Sequence, residues 1–237
     1  MVTSPTYPIE RTKKNGFTLT LPKRTLFIFL VCCIQMIYIP TSNRITGGIE
    51  PKLSIDIFPI WPIWVLPYIT CYVIWLSSAV WILLKMEDRL FRSLLAACIL
   101  TFSIGNAIFI FFPTYVKPAI LEGTDIFTLL LRMIHETWGR YDAFPSGHIY
   151  ITTLLALFFG RWYPRQRFLW IVILVIVSLS TLFTGQHYII DVVGGYVIAL
   201  TGYHFGLWWT RFYPARKRAG KQSGKGSRKR VAPSSLN

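Results

Sequence analysis

Three stretches of this chain carry no charged side chain: the 21 residues Trp64–Leu84, the 19 residues Leu94–Phe112 and the 16 residues Phe168–Phe183. A helix needs roughly 18–20 apolar residues to cross the hydrocarbon core of a bilayer. Two of the stretches reach that length and the third comes close, so the chain reads as a helical membrane protein. Composition agrees: 53% of the residues are hydrophobic and 15% are charged, where a soluble domain carries about 25% charged residues. A soluble globular enzyme, a disordered tail protein and a disulfide-rich secreted domain are excluded. Cys32, Cys33, Cys71 and Cys98 all lie in apolar stretches, where a thiol behaves as a small hydrophobe. No cysteine spacing suits zinc or a disulfide framework, so neither a metal nor another cofactor is expected.

The fold expected is all-α: a polytopic protein with six transmembrane helices in a bundle. The spans fall near Thr25–Pro40, Trp64–Leu84, Leu94–Phe112, His148–Gly160, Phe168–Phe183 and Ile189–Trp209. The first and fourth are short and need flanking residues or a locally thin bilayer. Pro40-Thr-Ser-Asn lacks a signal-peptide cleavage pattern, so the first span reads as retained. Residues 1–24 form a basic cytoplasmic segment, 25–213 the membrane domain and 214–237 a disordered basic tail.

Charge gives the orientation. Of the 25 Lys and Arg, 20 fall on one side when the connections are numbered alternately, and Arg44, Lys52, Lys117, Arg132 and Arg140 fall on the other. By the positive-inside rule both termini are cytoplasmic, in a plasma or cell membrane. The net charge of +15 is therefore a topology signal, and no nucleic-acid partner is expected. The tail rests on anionic headgroups or serves as a docking arm.

Most intramembrane polar residues are Ser, Thr or the lone Asn106, suited to packing between helices. Two clusters differ. Ala143-Phe-Pro-Ser-Gly-His148 opens the fourth span, and Ser180 to Asp191 crosses from the fifth into the sixth. His187 and Asp191 are four apart, on one face of a first helical turn. A carboxylate there can hold one imidazole nitrogen and leave the other as a nucleophile; the pair could also simply satisfy itself at a helix end. In the first cluster, Pro145 and Ser146 precede a helix whose opening amides suit a phosphate, Gly147 lets an anion approach the backbone closely, and His148 could donate a proton to a leaving oxygen. Ser146 could equally be an ordinary N-cap. Both histidines fall at the same membrane face, which suits phosphoryl transfer through a phospho-histidine.

These clusters resemble the P-S-G-H and S-R-x5-H-x3-D motifs of the type 2 phosphatidic acid phosphatase superfamily, six-helix enzymes that remove or transfer lipid phosphate groups without a metal. The resemblance runs from about Asp56 to Gly195. It implies His187 as nucleophile, Asp191 as its orienting partner, His148 as the acid, and Ser146 and Gly147 as phosphate ligands. The family's first motif, K-x6-R-P, is reduced to Lys117-Pro118 with Ile110 in place of its leading lysine, and Thr181 replaces the arginine of the third. Lys117 is the first substitute cation or a solvated loop residue, with Arg140 and Arg132 as further candidates. His187-Tyr188-x-x-Asp191 and the Asp56-Ile-Phe-Pro-Ile-Trp-Pro segment resemble the inositol phosphorylceramide synthase branch, whose members pass a phosphorylated headgroup to a lipid alcohol.

The function expected is an integral membrane phosphatase acting on a lipid phosphate or pyrophosphate. A headgroup phosphotransferase and a non-catalytic lipid-phosphate-binding member are the alternatives. His204 reads as a packing histidine, Tyr141 and Asp142 as neighbours of the phosphate turn, and His135 as part of an amphipathic interfacial helix over the lipid's lateral access.

Overall fold

The computed structural model describes residues 19–42, 47–137 and 141–212, and within them regular structure is helical apart from two isolated β-bridges. The basic tail, most of the N-terminal segment, Arg44 and Arg140 lie outside the described residues. Eight α-helices follow in order: α1 (Leu21–Met36), α2 (Tyr38–Ser42), α3 (Val65–Lys85), α4 (Asp88–Phe111), α5 (Ile126–Thr137), α6 (Gly147–Trp162), α7 (Arg167–Phe183) and α8 (Ile189–Phe212).

Among the described residues, five segments are long and apolar enough to cross a membrane: Leu21–Pro40, Pro62–Lys85, Asp88–Phe111, Pro164–Phe183 and Ile189–Phe212. The fourth expected span, α6, has 16 residues, about 24 Å at 1.5 Å per residue against a core of about 30 Å. It packs against α3, α4, α7 and α8, and Ile149, Tyr150, Leu154 and Phe158 on it are buried. Outward-facing residues on the longer helices are the reverse of a soluble surface. Val73, Leu76, Phe168, Leu169, Val193 and Val197 are all exposed, an apolar girdle that water would not tolerate at this extent.

Breaks between helices follow local chemistry. Pro40 has no N–H and its ring crowds the carbonyl four residues back, and α1 stops at Met36. At that break the Ile34 carbonyl accepts the Ile37 N–H at 3.2 Å and the Asn106 side-chain amide at 2.7 Å. Asp88 begins α4, where a carboxylate meets the positive end of the helix; it also receives Arg24 at 2.6 Å and the Leu19 N–H at 2.9 Å. Asp125 accepts from the amides of Phe127 and Thr128 and so starts α5.

The closest helix pairing is α4 with α8. Gly202 and Gly206, one turn apart on α8, press against Thr101, Ala97 and Ser93 on α4. A Cβ on Gly206 would stand 2.1 Å from the Ser93 carbonyl oxygen. Small residues at this spacing let helix backbones touch. Hydroxyls close the seam, with Ser93 and Thr210 at 2.7 Å and Thr101 donating to the Ile198 carbonyl at 3.3 Å.

Candidate active site

The N-termini of α3, α6 and α8 and the C-terminus of α7 gather at one end of the helices, held by the connecting segments. Thr114 is the centre of this region. It bridges to Ile49 on one side and Asp142 on the other, its carbonyl accepts the Ala143 N–H at 3.1 Å, and its hydroxyl accepts the Phe144 N–H at 2.7 Å. The turn before His148 is therefore hung from a residue some 30 positions earlier. Trp61 stacks on Phe183 at 4.8 Å and donates its N–H to the Phe183 carbonyl at 2.9 Å, which pins the approach to α3 onto the end of α7.

The start of α8 is built twice over. Asp191 is its third residue and accepts the Tyr188 N–H at 2.8 Å, one half of a capping box. From outside, Asp56 accepts the Ile189 N–H at 2.9 Å and the Leu53 N–H at 2.7 Å. Asp56 is buried. Changing Asp56→Ala should lower stability by about 1–2 kcal/mol, the scale of a lost helix cap, read as a lower melting temperature of the detergent-purified protein. An unaltered melting temperature would deny Asp56 this role. Asp56→Asn, which still accepts from one amide, should fall between the two.

Asp191 is fully buried, and its Oδ2 lies 3.5 Å from Nδ1 of the buried His187. That is ion-pair distance but beyond a formed hydrogen bond. His187 Nδ1, Asp191 Oδ1 and Ser146 Oγ are buried without a hydrogen-bond partner among the described residues. Ser146 holds the N-cap position of α6, but its side chain makes no cap bond. Its backbone N–H donates instead to the Asp191 carbonyl at 3.0 Å, tying the two motif turns together directly. The opening amides of α6 lack intrahelical acceptors, and Gly147 among them borders the cavity described next. The rings of His148 and His187 are 5.7 Å apart, centre to centre.

Both histidines line a cavity of about 910 Å³. Its walls include Gln35, Met36, Tyr38 and Ile39 from α1 and α2, and Tyr68, Tyr72 and Trp75 from α3. Gln35 exchanges hydrogen bonds with the Tyr150 hydroxyl at 2.7 and 3.0 Å, joining α1 to α6 beside the site. Asp142 and Tyr141 also face the cavity. Burial pushes the Asp142 carboxyl above the usual carboxylate range, with His187 pulling it the other way. Among the described residues, Arg132 is the one Lys or Arg on the wall, and its guanidinium donates to the carbonyls of Leu121 at 2.6 Å and Gly123 at 3.0 Å. Lys117 is exposed and does not itself line the cavity, although Val116 and Pro118 on either side of it do. His135 joins the wall, and its Nε2–H donates to the Thr184 carbonyl at 2.9 Å. Burial lowers its pKa and that bond partly offsets the shift. Among the described residues no three His, Cys, Asp or Glu side chains converge as a metal site.

The profile of the PAP2 superfamily matches residues 62–205, which include every residue from α3 to the first two-thirds of α8. The chain belongs to the PAP2 superfamily. Within it, 85 residues are 32% identical to a protein named inositol phosphorylceramide synthase from Candida albicans (strain SC5314). That stretch is 36% of this chain and 17% of the relative, so the chain spans much less than the relative's full length. Superfamily membership with the apolar helices makes this an integral membrane protein of a lipid phosphatase and phosphotransferase family.

Motif spacing picked out His148, His187 and Asp191, and they do share one end of the fold. It missed Thr114, Asp56, Gln35 and the aromatic residues of α3. Of these only the last left a local signal, since Tyr68, Tyr72 and Trp75 recur at helical spacing and so share one face.

Proposed function

We propose that this chain is an integral membrane phosphatase that removes the phosphate or pyrophosphate group of a lipid through a phospho-histidine on His187. The observation that carries this reading is the pair of cavity histidines with a buried carboxylate behind one of them. Asp191 stands at Nδ1, which leaves Nε2 of His187 to attack phosphorus. As the His187 N–P bond forms and the P–O bond breaks, protonated His148 gives its proton to the departing oxygen. Water then attacks phosphorus as His148 takes its proton, the N–P bond breaks with its electron pair returning to His187 Nε2, and inorganic phosphate leaves.

The phosphate oxygens sit against the opening amides of α6 at Gly147 and the Ser146 hydroxyl. Charge comes from Arg132 on the wall and from Lys117 and Arg140 on the adjoining connections. Six helices cross the membrane, α6 included, with both termini cytoplasmic and the cavity at the extracytoplasmic end of a plasma or cell membrane. The division of 20 and 5 Lys and Arg supports that orientation. The amphipathic α5, exposing Ile126, Leu129 and Met133, lies in the interface beside the cavity.

A second reading is supported by the similarity to a protein named inositol phosphorylceramide synthase: the same phospho-histidine, or its headgroup-bearing equivalent, is intercepted by a lipid alcohol. One experiment separates the two. The purified full chain is incubated in chelator with dioleoyl phosphatidic acid or an isoprenyl pyrophosphate, with and without an added lipid alcohol, and compared with His187→Ala. His187-dependent release of inorganic phosphate supports the phosphatase. Product that forms only when the lipid alcohol is present supports transfer. Lipid binding with neither product would overturn both and leave a binding protein.

A further inference from the structure

His187 has a carboxylate beside it; among the described residues His148 instead meets an aromatic face. On α3, Tyr68, Tyr72 and Trp75 lie at positions i, i+4 and i+7, one helical face, and that face meets His148. The Tyr68 ring lies 4.4 Å from the imidazole at 34°, the Tyr72 ring 5.5 Å and the Trp75 ring 5.6 Å. Tyr72 Oη is 2.9 Å from His148 Nε2. Trp75 Nε1 donates to Thr152 Oγ1 at 3.1 Å, one turn along α6 from His148, so α3 is fixed against α6 at the level of the histidine.

We infer that Tyr72 is a positioning residue for His148: its hydroxyl oxygen accepts the Nε2–H and leaves Nδ1 alone to exchange protons with the reacting phosphate. The inference rests on the phospho-histidine reading above. In the first half-reaction protonated His148 gives the Nδ1 proton to the leaving oxygen and keeps Nε2–H on Tyr72. In the second, the Nδ1 lone pair takes the proton of the attacking water or alcohol. Tyr72 stays neutral throughout. A phenol fits this task because a hydroxyl oxygen accepts from Nε2–H in both charge states of the ring. The aromatic rings packed against it keep the imidazole from turning.

Tyr72→Phe keeps the ring and removes only the oxygen. Its kcat on dioleoyl phosphatidic acid, whose leaving alkoxide needs a proton, should drop about 10- to 100-fold, part of what general acid catalysis contributes, with KM within about twofold. On p-nitrophenyl phosphate, whose leaving group needs little help, kcat/KM, which reports only formation of the phospho-histidine, should fall less than about threefold. In protein labelled with ¹⁵N-histidine, the hydrogen-bonded His148 Nε2–H resonance, assigned with His148→Gln, should move upfield in Tyr72→Phe while His187 signals hold. Thermal unfolding in the same detergent checks that the variant is folded. Equal losses in kcat/KM on both substrates, or an unmoved His148 resonance, would overturn the inference. If the wild-type chain releases phosphate from neither substrate, the phosphatase reading fails, and the His148 resonance alone then decides whether Tyr72 holds the ring.

Discussion

Replacing His187 with alanine should cut phosphate release from a lipid phosphate by at least about 10³-fold, because the atom that forms the covalent bond to phosphorus is gone. Phosphate-labelled protein, stable to alkali and labile to acid as a phosphoramidate is, should be trapped in the wild type and absent from the variant. Added imidazole should restore part of the rate, since the alanine leaves a space beside Asp191. Asp191→Asn is the sharper companion. It keeps shape and the bond from Tyr188 but removes the negative charge 3.5 Å from His187 Nδ1. A loss of about 10²–10⁴-fold is expected, the range for removing the acid that orients a catalytic histidine. A variant of His187 that kept full turnover would place the nucleophile elsewhere in the cavity.

The Gly206→Leu change should do comparable damage to folding and none of it through chemistry. A side chain there must displace the Ser93 carbonyl and Ala97, and neither is a flexible tip that can swing aside. Overpacking of this kind costs about 1–3 kcal/mol, and the upper end is expected because backbone has to separate from backbone. The readout is thermal unfolding of the purified protein, with Gly160→Ala as the reference. A Cβ at Gly160 comes nearest to the Arg167 side chain, at an ordinary 3.4 Å. Equal melting temperatures for the two variants would mean that α4 and α8 do not rely on this contact.

The parts of the molecule legible in the sequence are those where one stretch of chain carries the whole signal. Apolar runs gave the long helices, and the nearness of His187 to Asp191 was legible in their spacing. The shared helix face was not: α8 begins at Ile189, so His187 sits in the connection before it and only Asp191 is helical. Expectations at Ile110 and Thr181 were also local: neither supplies a cation, and the cavity wall is short of them. What stayed hidden is long-range. Thr114 holds the turn at Phe144, Asp56 holds the start of α8, and Gln35 reaches Tyr150 across 115 residues. A lone Thr, Asp or Gln has no periodicity to mark it, and its partner is fixed only when helices pack. The small-residue seam at Gly202 and Gly206 falls between these cases: its spacing is visible, but its partner helix is not.

The first helix has a consequence for how such a protein can diversify. Gln35, Met36, Tyr38 and Ile39 line the cavity, yet they precede the residues that match the superfamily, 62–205. The proposed reacting groups and part of the wall that shapes the space around them are thus written in different segments of the gene product. In the proposed reaction, substitutions in α1 and α2 would retune which headgroup or tail fits, while the histidines and the turns that hold them remain untouched.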